Sequence, residues 1–287
     1  MRRLAPLICL LIFQASTAAG GEVVIQGDIY PLHIIPTFNH GYLAVYENRG
    51  IAVYAPDGSP AMRIAAPVGA NIVNADIDRD GSVAVAINWH SPHTGAISTF
   101  SPDGSPAGQV DTGPYQPSQV CFAPDHSIWI LGNEDLRPTS DRADYFLLQH
   151  YSHGGELLGQ FFPRSSFPAD INPGQVILGL WGLRIANGRI GAALSRAGES
   201  KRGLWLEADL TGKELGRWTM SPSGGPAAMT DSGAVYIQGP GILRLDRTSG
   251  SWKTVPRSSN DILVGAEGDT LVFAVRGTSR IRREVQP

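Results

Sequence analysis

The stretch YAPDGSPA at residues 54–61 returns almost intact as FSPDGSPA at residues 100–107, 46 positions later. A near-copy at that interval, with turn residues at fixed offsets, marks an array whose unit is one small sheet of about 40 to 50 residues. Asp-Gly is the dipeptide a tight hairpin requires, because both central positions of a type I′ turn need positive φ. Each copy therefore closes a hairpin, and the question becomes how many such units the chain holds.

Working outward, the turns fall into two sets. The first set precedes compact apolar strands: Asn39-His40-Gly41, Asp80-Gly81, Asp125-His126, Asn187-Gly188, Asp231-Ser232-Gly233 and Glu267-Gly268. The second set closes the following hairpin: Pro56-Asp57-Gly58, Pro102-Asp103-Gly104, His153-Gly154, Thr211-Gly212 and Thr248-Ser249-Gly250. The strands after the first turns, such as SVAVAI at 82–87 and SIWIL at 127–131, are apolar on both sides. That is expected where each face of a small sheet packs on a neighbour and neither meets water. A helical reading fails, since no window after the leader sustains an i, i+3, i+4, i+7 apolar stripe over a dozen residues.

Six first turns against five second turns leave the last unit incomplete. After Phe273 only TSRIRREV at 278–285 remains, while EVVIQ at 22–26 is a strand with no unit of its own. The economical solution is an all-β, six-bladed β-propeller in which the N-terminal strand supplies the outer strand of the last blade. This closes the ring and removes the exposed edge. Dividing residues 20–287 by six gives about 45 residues per blade, inside the usual range for such repeats.

VNADIDRDGSVAVAI at 73–87, followed by ISTFSPDGSPAGQV at 97–110 and PSQVCFAPD at 117–125, resembles the NHL-type six-bladed propeller repeat. The shared pattern is a strand ending in Asp-x-Asp-Gly, an apolar strand, an aromatic before Pro-Asp-Gly, and a proline opening the next inner strand. The polar stretch usual between second and third strands survives only as Glu47-Asn48-Arg49. The resemblance implies the architecture and little about the partner.

Arg2 and Arg3, an apolar run from Leu4 to Phe13 and the small residues Thr17-Ala18-Ala19 read as a cleavable signal peptide over residues 1–19. Residues 20–287 then form a single propeller domain, secreted or periplasmic. The formal charge of −3 becomes two units more negative once Arg2 and Arg3 are gone. A mildly acidic chain lacks the footprint that phosphate contacts need, so nucleic acid is not an expected partner. No second long apolar run offers a stable membrane anchor, and a monomer is expected. Beyond the leader, Cys121 is the one cysteine; it reads as a small buried hydrophobe, and Trp129 and Trp205 as packing residues.

The connections after the second strands are the unequal ones, and long loops on a rigid scaffold concentrate binding residues. They supply Asn48, Arg49, Trp89, His90, His93, Asn133, Glu134, Asp135, Arg137, Arg196, Arg202 and Arg276 as candidate ligand-binding residues. His90 and His93 flank Ser-Pro, a turn, so their spacing does not bring both rings onto one metal.

The sharpest local motif is Asn74-Ala-Asp76-Ile-Asp78-Arg-Asp80-Gly81. Alternation sends Asn74, Asp76, Asp78 and Asp80 to one side of an extended strand, where like charges repel unless water or a cation intervenes. Asp76, Asp78 and Asp80 thus resemble the first half of a calcium loop. The second half is missing, with Ile87 where a helical loop needs Glu and Ala84 where a propeller blade offers Asp.

These observations favour an exported binding module that holds a protein, peptide or glycan on the polar face over its channel, with no cofactor required. The alternative is a calcium-dependent propeller hydrolase of the lactonase type, drawing on Asn74, Asn260 and Asp261 near the channel. The sequence contains no G-x-S-x-G, H-E-x-x-H, C-x-x-C or G-x-x-x-x-G-K, so nothing in it asserts an enzyme.

Overall fold

The computed structural model describes residues 22–26, 34–46, 49–89, 94–134, 144–168, 182–194, 203–220, 226–239, 241–256 and 261–285. They form six four-stranded antiparallel sheets. Blade 1 runs outward through Ile34–Pro36, Tyr42–Tyr46, Gly50–Tyr54 and Pro60–Ala65. Blade 2 comprises Ala70–Ile77, Val83–Trp89, Thr94–Phe100 and Pro106–Gly113. Blade 3 comprises Tyr115–Phe122, Ile128–Glu134, Phe146–Tyr151 and Leu157–Pro163. Blade 4 holds Leu183–Ala186, Arg189–Leu194, Leu204–Asp209 and Glu214–Thr219. Blade 5 holds Ala227–Met229, Val235–Gln238, Ile242–Asp246 and Ser251–Val255. Blade 6 takes Ile262–Glu267, Thr270–Ala274 and Arg280–Val285 from the C-terminal end, and its outer strand is Glu22–Val24.

The expected closure is therefore observed. Glu22, Val23 and Val24 pair with Arg282, Ile281 and Arg280, and the Ile25 N–H donates to Ser279 O at 2.8 Å. Ile25 is buried with Ile34, Tyr42, Tyr54 and Ile281, so the same segment joins blade 6 to blade 1. Gly58 of the repeated Pro-Asp-Gly abuts this strand. Its φ is 83°, and a Cβ there would lie 2.2 Å from Val24 O, so no other residue fits. In both copies of the motif the aspartate caps its turn, with Ser59 and Ser105 hydroxyls donating to Asp57 and Asp103 at 2.6 Å.

The second strands, such as Val83–Trp89 and Ile128–Glu134, are buried almost throughout, as a sheet covered on both faces requires. Trp129, Trp205 and Cys121 all lie in the cores between blades. Among the described residues no helix is long and apolar enough to cross a membrane.

Neighbouring inner strands do not pair, so polar side chains bridge them. Val120 N–H donates to Asn74 Oδ1 at 2.9 Å and Phe122 N–H to Asp76 Oδ2 at 2.8 Å, each across 46 residues. Gly182 N–H donates to Gln119 Oε1 at 3.0 Å and Leu263 N–H to Gln238 Oε1 at 2.8 Å. The seam between blades 4 and 5 is held differently. Glu207, 0% exposed, accepts from Trp205 Nε1 (2.9 Å), Arg189 (3.1 Å) and Arg247 (2.7 Å).

Two stability predictions follow from these seams. Ile25→Ala should cost about 2–5 kcal/mol in urea unfolding, whereas Val24→Ala, on the exposed side of the same strand, should change stability by under about 0.5 kcal/mol. Glu207→Ala strands two guanidinium groups at a partly covered seam and should cost about 3 kcal/mol. Equal, small effects at positions 24 and 25 would contradict the closure.

Candidate functional site

The first turns of all six blades encircle one end of the central channel. There the channel opens into a cavity of about 410 Å³, with Phe38 and His40 from blade 1, Asp76, Asp78 and Arg79 from blade 2, and Phe122 from blade 3. Ile185, Asp231 and Glu267 complete the wall from blades 4, 5 and 6. Four carboxylates thus face one arginine and one histidine. The inner strands produce this lining because their side chains alternate: in blade 2 Asn74 and Asp76 turn toward blade 3, while Ala75 and Ile77 pack toward blade 1.

Asp76 lies on the cavity wall, half-buried. Desolvation pushes its carboxyl up to about 6, opposed by the Phe122 N–H and by the positive charge of Arg184, with Asp78 adding a smaller upward push. Burial in turn lowers Arg184, and it raises the Cys121 thiol well above its ordinary range, with the Asp76 charge a second cause. This cysteine is a buried thiol and no nucleophile.

Asp78 is 4% exposed and accepts from the Arg79 N–H at 2.7 Å and from His126 Nδ1 at 2.6 Å. That hydrogen bond is the main reason the His126 imidazole is raised above its usual value. Asp80 lies in the turn itself, exposed, with its carboxylate lowered chiefly by the Ser82 N–H that it accepts at 2.8 Å. On the far side of the cavity Glu267 is clasped by Arg283 at 2.9 Å and touches His40, while Arg283 also donates to His40 O at 2.6 Å.

The expected triad of Asp76, Asp78 and Asp80 is divided by this geometry. Asp76 turns along the strand toward the Phe122 N–H, while Asp78 and Asp80 come together with His126 of the next blade. Of the inner-strand candidates for a central hydrolase metal, Asn74 accepts from Val120 and Asp261 pairs with Arg282 at 2.5 Å; Asn260 lies outside the described residues.

The loop candidates among the described residues lie at the opposite end of the blades. Arg49 and Arg276 are exposed in turns that follow second strands, and Trp89, Asn133 and Glu134 end two such strands, half-buried. Trp89 packs against the core between blades 1 and 2. Asn48, His90, His93, Asp135, Arg137, Arg196 and Arg202 lie outside the described residues.

Sequence reading missed His40, His126, Arg184, Asp231 and Glu267. A signal was present: most first turns carry a charged residue or a histidine beside the turn glycine, at His40, Asp80, Asp231 and Glu267. Loop length drew attention to the other end.

No protein-family model and no curated protein matches the sequence. Solved structures do. The β-propeller domain of Cps50 (Swd1) from Myceliophteria thermophila superposes with a TM-score of 0.55 at 9% identity, over 92% of this chain and 99% of that one. The Dos1 propeller superposes with a TM-score of 0.53 at 12% identity, over 85% of this chain and 75% of that one. The chain is a six-bladed β-propeller. At such identities the likeness shows the fold alone.

The raised carboxyl of Asp76 has a pH signature. Its folded value lies above the unfolded 3.8, so the wild type loses stability as pH rises from about 4 to about 6. Asp76→Asn keeps an acceptor for Phe122, as Asn74 does for Val120. In metal-free buffer its Tm should match wild type near pH 4 and exceed it at pH 8. A constant difference across that range would show that Asp76 is not held at a raised value.

Proposed function

We propose that this propeller is an exported binding module that seats a basic segment of a protein partner over the first-turn mouth of its channel. The observation that carries this reading is the cavity itself: it is assembled from all six blades, and of its acids Asp78 and Glu267 already meet His126 and Arg283, so Asp76 and Asp231 are the carboxylates offered to an incoming cation. Its volume of about 410 Å³ falls in the range of small-ligand sites, roughly 300–1,000 Å³. A concave site with carboxylates on low-dielectric walls concentrates cations and speeds their arrival. Phe38, 45% exposed, adds an aromatic face suited to the stem or head of an arginine.

The NHL-like repeat pattern and the propeller fold support a binding role without naming a partner. The leader read in residues 1–19 supports an extracytoplasmic one, secreted or periplasmic.

Fluorescence polarisation with labelled Arg/Lys-rich, neutral and acidic peptides tests the proposal. The basic peptide should bind best, more weakly as salt rises, and the double variant Asp76→Asn/Asp231→Asn should weaken it by about tenfold or more. Arg49→Ala and Arg276→Ala, at the opposite end, should leave that affinity unchanged. Preference for the acidic peptide, or loss of binding only in the two arginine variants, would move the recognition surface to the other end.

A further inference from the structure

We propose that Asp78, Asp80 and His126, completed by His153, form a divalent-metal site of the zinc type that clasps blade 2 to blade 3. One donor atom from each of Asp78, Asp80 and His126 lies within 4.8 Å of the others. Around a tetrahedral zinc with bonds of about 2.1 Å, neighbouring donors are about 3.4 Å apart, so the widest separation must shrink by up to about 1.4 Å to seat the ion. Asp78 Oδ2 and His126 Nδ1, now hydrogen-bonded at 2.6 Å, open by about 0.8 Å when the ion replaces the proton between them.

A separate observation points the same way. The His153 ring stands edge-on to His126, with centroids 6.5 Å apart and planes at 83°. Two imidazoles on one zinc have centroids about 5 Å apart, within reach of a rotamer adjustment of exposed rings. Both histidines belong to turns at the same end of blade 3, the first turn and the second, and both act electrostatically on Asp80 of blade 2. Two carboxylates and two neutral imidazoles balance a divalent charge and close a four-coordinate shell.

The mixed nitrogen and oxygen set distinguishes this site from a calcium loop, which is built from oxygens alone. On binding, the proton between His126 Nδ1 and Asp78 Oδ2 leaves to solvent and the ion takes its place. The Ser82 N–H takes one lone pair of Asp80 Oδ1, and a carboxylate has further lone pairs for an ion. The inference does not depend on the basic-peptide reading, since none of its tests involves a peptide.

The turn geometry supplies a variant that keeps the fold. His126 has φ 67°, and the corresponding positions in blades 2 and 5 are glycines, Gly81 at φ 91° and Gly233 at φ 81°. His126→Gly therefore suits the turn while deleting the ligand.

Calorimetric titration of the tag-free, metal-stripped mature chain with ZnCl₂ should show one ion per chain. Zinc at about a hundredfold excess over Kd should raise Tm by about 5–10 °C. His126→Gly and Asp80→Asn should each weaken binding by at least about tenfold and abolish the Tm rise, and His153→Ala should weaken it comparably. Unchanged zinc affinity in His126→Gly or Asp80→Asn, several weak sites in place of one, or a response to CaCl₂ without one to ZnCl₂ would overturn the site. Unchanged affinity in His153→Ala would overturn the four-ligand geometry.

Discussion

The inner strands of a propeller crowd the axis without pairing to one another, so each presents backbone N–H groups that no ladder satisfies. A buried donor left unmade costs more than an average hydrogen bond gains. Here the debt is met by side chains: Asn74, Asp76, Gln119 and Gln238 each accept from the backbone of the next blade. The channel wall must therefore be polar even though the blade faces are apolar. Its recognition chemistry grows out of that structural demand.

Two inward-facing acids show how one demand yields two outcomes. Glu207 has a tryptophan N–H and two guanidinium groups, and it serves as a rivet between blades 4 and 5. Asp76 has backbone N–H groups and the charge of Arg184 beside it, but desolvation outweighs them and its carboxyl sits at about 6. A group so poised, on the wall of a cavity, responds to whatever cation enters.

The ring and its closure were legible because turn chemistry is local. Asp-Gly, Asn-Gly and Glu-Gly mark the hairpins wherever they fall, and counting them showed that one strand had to be borrowed from residues 22–26. The site was less legible because its partners are distant in the chain. Asp78 meets His126 across 48 residues and Arg283 reaches His40 across 243. The alternation of Asn74, Asp76 and Asp78 was readable; that the N–H groups of Val120 and Phe122 stood opposite them was not, since only the radial arrangement brings those strands together.

The seal between the first and last strands brings Glu22 to Arg280 across 258 residues. Loop-closure entropy grows only with the logarithm of length, so joining these ends costs about 1.5 kcal/mol more than closing a span of one repeat. Thermodynamically the lock is a modest demand. Kinetically it is severe, because the outer strand of the sixth sector, residues 22–24, has nothing to pair with until residues 262–285 are in place. The assembly is all-or-none in time: five sectors can condense as the chain lengthens, yet the circle exists only when its two extremities meet.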